Sequence, residues 1–62
     1  MKYQSTLYDW RVEDMGECYV LVGKVKGDER WPDGTLVHTS ELQRIDFTGR
    51  VAETMNTIYE LV

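Results

Sequence analysis

Cys18-Tyr19-Val20-Leu21-Val22-Gly23-Lys24-Val25-Lys26 is the stretch on which the reading of the chain turns. β-Branched and aromatic side chains crowd this run, and such side chains pack best on a pleated sheet. Its first half is apolar on both faces, as a strand covered on both sides requires. Its second half alternates apolar and charged residues, so one face there meets water. Gly23 inside the run signals a bulge or the close approach of another backbone, and either helps a sheet to curl.

Upstream, Tyr8, Trp10 and Val12 alternate with Asp9, Arg11 and Glu13, the two-residue period of a strand. Asp14-Met15-Gly16-Glu17 supplies turn residues, with Gly16 free to take a positive φ. Residues 1–6 are polar without a period and read as a flexible lead-in. Downstream, Gly27 to Thr35 is irregular, with Pro32 expected at the first corner of a turn that Asp33 and Gly34 complete. Leu36 to Thr39 reads as a short strand, Ser40-Glu41 as a kink, and Leu42 to Phe47 as a strand with Gln43, Ile45 and Phe47 on one face. Thr48-Gly49 reads as a two-residue hairpin loop between that strand and Arg50 to Thr54. Met55-Asn56 turns again into a last strand, Thr57 to Val62. A helix over Arg50 to Leu61 is the rival, because Val51, Met55, Ile58 and Leu61 recur at helical spacing. Thr54, Thr57, Ile58 and Tyr59 favour strand, and no convincing cap precedes Val51. The expectation is an all-β meander of five to six short strands, forming a small curled antiparallel sheet or a barrel like the Src-homology-3 domains, whose closure hides the edges.

Sixty-two residues make one domain, 1–62, near the lower limit for independent folding. Cys18 is the only cysteine, so no disulfide can form within the chain, and Cys18 and His38 are two soft ligands where a closed zinc site needs four. Stability must then come from packing of Trp10, Trp31, Tyr3, Tyr8, Tyr19, Tyr59 and Phe47, or from self-association. Eleven acidic against seven basic residues give a net charge of -4, with the basic residues scattered singly. Nucleic acid is a poor partner for such a chain, because phosphate binding needs clustered positive charge. An acidic surface suits solubility or a basic protein partner instead. With no apolar run near membrane-spanning length and no basic segment leading an apolar one, the expectation is a cytoplasmic protein that does not engage membranes.

His38 is the one side chain that titrates near neutrality unaided, so an acid–base enzyme would have to use it, with Glu41 or Asp33 as partner. Flanked by Val37 and Thr39, it reads more simply as a partly exposed strand histidine. Cys18, opening an apolar strand, reads as a small buried hydrophobe rather than an activated thiolate. The pairs Glu13-Asp14 and Asp28-Glu29 lack the spaced oxygens of a calcium loop and read as solvated turns. Gly23, Gly27 and Gly34 make no phosphate cradle, since the Ser or Thr after Gly-Lys is missing. No cofactor is expected. The loop Arg30-Trp31-Pro32-Asp33-Gly34 is the candidate binding element, because Trp and Arg dominate binding energies and a Pro-stiffened loop loses little entropy on docking. Two readings of Trp31 stand side by side, as a lid over an open end of the sheet and as an interface residue. Arg30, Trp31, Asp33, Asp28 and Glu29 are the expected partner-binding residues, with Asp9, Glu13, Asp28, Glu29 and Asp33 facing outward.

The order Gly23-Lys24-Val25-Lys26-Gly27, Arg30-Trp31-Pro32-Asp33-Gly34-Thr35 and Val37-His38-Thr39-Ser40, with Tyr59-Glu60-Leu61 near the end, resembles a loose group of small uncharacterised proteins from bacteria and their phages. They share a Gly-x-Val-x-Gly segment, an Arg-x-Pro-Asp-Gly turn, a Thr-Ser pair and a Tyr-x-Leu ending. The resemblance covers about two thirds of the chain, leaving residues 1–22 unmatched. It implies a context in which short acidic phage proteins bind and block host proteins, including components of defence systems. The functional expectation is therefore a non-enzymatic protein-binding module, a phage or mobile-element inhibitor of a host protein. A homodimeric assembly component with paired edge strands is the alternative. A nucleic-acid-binding barrel stacking bases on Trp31, Tyr19 and Arg30 is the third, and charge argues against it.

Overall fold

The computed structural model describes residues 2–62. Six strands follow one another: β1 (Tyr3–Asp14), β2 (Tyr19–Lys26), β3 (Leu36–His38), β4 (Leu42–Asp46), β5 (Val51–Thr54) and β6 (Thr57–Leu61). They form one sheet in the order β3-β2-β1-β6-β5-β4, and it does not close into a barrel. The all-β expectation is met, and Arg50 to Leu61 forms strands rather than a helix. Two meanders, β1-β2-β3 and β4-β5-β6, are joined by a parallel pairing of β1 with β6, Tyr3 opposite Thr57 through Leu7 opposite Leu61. The sheet is thus mixed, where a purely antiparallel one was expected. Residues far apart in sequence make that pairing, so no local pattern announces it.

Tyr3 to Thr6, read as part of a flexible lead-in, are the first residues of β1. Met1 lies outside the described residues. Lys2 Nζ donates to the Glu53 carboxylate at 2.6 Å and to the Thr54 carbonyl at 2.7 Å, fastening this end of the chain to β5. That ammonium, with help from Arg44, holds Glu53 below the usual carboxylate range.

The bulge foreseen at Gly23 lies across from it, in β1. Tyr8 pairs with Lys24 and Arg11 with Val22, so Asp9 and Trp10 together face Gly23, and Asp9 takes a φ of 51°. A Cβ on Gly23 would stand 2.9 Å from the Trp10 Cβ and 3.1 Å from its Cα, so only glycine admits this approach. The extra residue shifts the side-chain alternation. Ser5 and Leu7 face the core before the bulge and Trp10 packs against it afterwards, while Tyr8 falls on the other side.

Leu7, Leu21, Val25, Val37, Ala52, Tyr59 and Leu61 form the core, with Trp10, Leu42 and Ile45 packed against it. Tyr59 is the only aromatic wholly inside. Tyr3, Tyr19, Trp31 and Phe47, expected to fill the core, are exposed. β4 also differs from expectation: an irregularity between Leu42 and Arg44 turns Leu42 and Ile45 inward and leaves Gln43 and Phe47 outside. Its hairpin loop spans four residues rather than two. Phe47 to Arg50 separate Asp46 from its partner Val51, with Arg50 at a φ of 54° and the Asp46 carboxylate accepting from the Gly49 N–H at 3.0 Å. Thr39, just past β3, extends the pairing with β2 by giving Leu21 a backbone donor at 2.8 Å and a hydroxyl acceptor at 2.9 Å.

Candidate functional site

The loop from Gly27 to Thr35 leaves β2 with Gly27 at a φ of 69°, and its base is clamped by the Gly27 N–H donating to the Asp33 carboxylate at 2.8 Å. Thr35 N–H donates to the Pro32 carbonyl at 3.2 Å. Pro32 is therefore the residue before the corners rather than the first corner, and Gly34, at a φ of 88°, takes the position that needs a left-handed backbone.

Asp28 enters the fold. Its side chain is 0% exposed, the opposite of the outward orientation expected for it. The physical reason is a complete set of partners. One carboxylate oxygen accepts the Arg30 backbone N–H at 2.8 Å and Arg30 Nε at 3.0 Å, and the other accepts Arg30 Nη2 at 2.8 Å. The two-residue spacing closes an Asx turn that aims the guanidinium fork back at the carboxylate that starts it. Hydrogen bonds from Arg30 hold Asp28 below the usual carboxylate range against the upward push of burial, and Ser5 acts in the same direction. Asp28 in turn raises the already high value of Arg30, with a further contribution from Tyr59. Ser5 and Tyr59 are themselves buried core-side residues of β1 and β6, so the ion pair stops the end of the curled sheet beside them.

The guanidinium carbon of Arg30 lies 4.3 Å from the centre of the Tyr3 ring and 4.3 Å from that of Trp31. Two aromatic faces thus flank one planar cation, an arrangement favoured by the negative ring faces and by the weak hydration of guanidinium. Trp31 is 38% exposed. What plugs the sheet is the Arg30–Asp28 pair, and Trp31 lies on that pair with part of its ring toward water. Glu29 and Asp33 are exposed beside it, and Asp33 is engaged at the loop base. Of the five expected binding residues, Glu29, Trp31 and Asp33 are exposed, Arg30 is half-buried and Asp28 is buried.

Tyr3, Ser5 and Tyr59 were missed. Tyr3 and Ser5 lay in the presumed lead-in, and the spacing of Tyr59 indicated strand without indicating its neighbour. Beside the plug, an open groove of about 720 Å³ crosses β1 and β6, with Thr6, Lys26, Arg50 and Glu60 along it.

His38 is exposed on β3 opposite Val22, and no ion pair reaches it among the described residues. Cys18 is free and half-buried, less enclosed than its sequence suggested. Glu13 and Asp14, read as a solvated turn, are the last residues of β1, Glu13 half-buried and Asp14 exposed, and Asp28 is buried. Among the described residues no three His, Cys, Asp or Glu side chains gather as metal ligands, and no helix is long and apolar enough to cross a membrane. Compared with protein-family models, curated proteins and solved structures, the chain matches none.

Proposed function

We propose that the chain is a non-enzymatic, cytoplasmic protein-binding module whose contact patch is the Tyr3–Arg30–Trp31 stack rimmed by Glu29 and Asp33. The supporting observation is a Tyr, an Arg and a Trp held face to face by a buried carboxylate before any partner arrives. These three residue types are the ones that most often dominate interface energies. Their conformational cost is already met within the fold, so docking loses little side-chain freedom. The exposed carboxylates at the rim favour a partner with basic residues around an apolar or planar anchor site. The resemblance to small phage proteins makes a host protein the first partner to seek.

The test compares capture from a host lysate by the wild type, by Trp31→Ala and by Lys24→Ala, a change away from the patch. Circular dichroism and urea unfolding of Trp31→Ala establish that the variant keeps the fold before its capture is compared. A defined protein retained by the wild type and by Lys24→Ala but lost with Trp31→Ala is expected. The same captured set with all three, or none with any, overturns the proposal.

A further inference from the structure

β1 is twelve residues long, but it has two neighbours for only part of that length. β6 pairs with Tyr3 to Leu7, and beyond Leu7 β1 is bonded to β2 alone. Among the described residues, the other side of Arg11 to Asp14 meets no strand. The phase of that free edge follows from the ladder. Met15 N–H donates to the Cys18 carbonyl at 2.8 Å, which makes 15–18, 13–20 and 11–22 the hydrogen-bonded pairs of the antiparallel β1–β2 ladder. Val12 and Leu21 are then a non-bonded pair. Leu21 confirms this, because its N–H and carbonyl turn away from β1 to Thr39. The N–H and carbonyl of Val12 accordingly point out of the free edge.

We propose that this edge binds a second copy of the same chain, the two β1 strands pairing antiparallel about a two-fold axis at Val12. The two Val12 residues then exchange both of their outward backbone bonds. The same register sets Arg11 of each copy opposite Glu13 of the partner subunit, twice across the axis. Both side chains are available for it, 67% and 39% exposed, and within one chain they make only a 3.4 Å contact. Opposite charges directly across a ladder stabilise it, and like charges there do the reverse. Val12 is also 40% exposed and shares its face with Trp10, whose ring stacks on the exposed Phe47 at 6.5 Å between centroids. The pairing therefore joins Val12 to Val12 of the partner subunit on that face. A one-residue slip would set Val12 against Arg11 or Glu13, and a two-residue slip would set like charges face to face, so charge and face select the same register. An exposed strand edge with no proline and a half-exposed valine at its centre is otherwise an unprotected template. The net charge of -4 on each copy opposes association at long range, and physiological salt screens it.

Sedimentation equilibrium at physiological salt, with chain concentrations raised to about 1 mM, reads the outcome against the 7.3 kDa monomer. A reversible dimer is expected. Arg11→Glu and Glu13→Arg, each alone, should weaken it at least about tenfold, since each sets like charges face to face twice. An equimolar mixture of the two variants should restore it, because the reversed charges then complement one another across the axis. That rescue also shows that both variants are folded. Val12→Pro removes the outward N–H while sparing every β1–β2 bond, and it should abolish the dimer. A chain that stays monomeric throughout, leaving the edge for a foreign strand or for none, overturns the proposal. So does a dimer that survives the single reversals, or one that the mixture fails to restore.

Discussion

The two ends of β1 carry opposite solutions to the same problem. At its beginning, Ser5 and Leu7 are buried, β6 pairs along Tyr3 to Leu7 with β2 joining on the other side at Thr6, and the neighbouring ion pair Asp28–Arg30 is enclosed and bonded at three points. At its end, Arg11 and Glu13 make one long contact in water, and one side of the strand pairs with no strand among the described residues. Each end has an Arg–carboxylate pair two residues apart in sequence. Solvent makes the difference. An exposed pair gains little because water already serves both charges, whereas an enclosed pair forbids the loss of either partner. The first end therefore reads as structure and presentation, the second as an edge waiting for a partner.

Arg30→Met tests the contrast most severely. It takes the guanidinium from the enclosed Asp28 carboxylate and leaves the Arg30 backbone N–H as its donor, and a loss of about 3 kcal/mol in urea unfolding is expected. A loss below about 1 kcal/mol would make the two ends alike. The pH dependence carries the same information. Because the folded value of Asp28 is depressed, its contribution is fully present above the ordinary value of 3.8 and fades as pH falls through the lower folded value. The stability gap between wild type and Asp28→Asn should therefore be constant at neutral pH and shrink below 3.8. A gap that closes already at pH 5–6, in the same unfolding measurement, would contradict a depressed value.

Gly23→Val strikes the hinge between the ends. Its side chain would meet the Trp10 backbone and the Leu7 side chain at once, and a loss of about 1–3 kcal/mol is expected, with Trp fluorescence reporting the displaced Trp10 ring. Unchanged stability would mean that the bulge can relax without it. The smallest effect belongs to the far end. Arg11→Gln, measured at a concentration at which sedimentation reads a monomer, should move stability by no more than about 0.5 kcal/mol. A larger loss would give the exposed pair a weight like that of the enclosed one.

Much of this architecture was legible from residues alone. Cys18 to Lys26 announced an interior strand through its β-branched side chains, and Gly23 announced the close approach that a Cβ would forbid. Asp14 to Glu17 and Met55-Asn56 announced turns through local backbone chemistry. The Arg30-Trp31 loop stood out because Trp and Arg dominate binding energies and Pro32 stiffens the loop. The inward turn of Asp28 was not legible, since an acidic residue beside Glu29 looks solvated until its fork partner is placed. Nor was the role of Tyr3, whose polar surroundings carry no period.

Short-range chemistry explains the division. Strand propensity, turn preference and the Asx geometry of Asp28 and Arg30 act over two to ten residues, so the chain's own order determined six short strands and a stiff loop. The parallel pairing of Tyr3–Leu7 with Thr57–Leu61 joins segments some fifty residues apart, and it alone decides which end of β1 is enclosed. Only the assembled sheet could settle that, because burial and a bare edge are properties of neighbours that the local sequence does not contain.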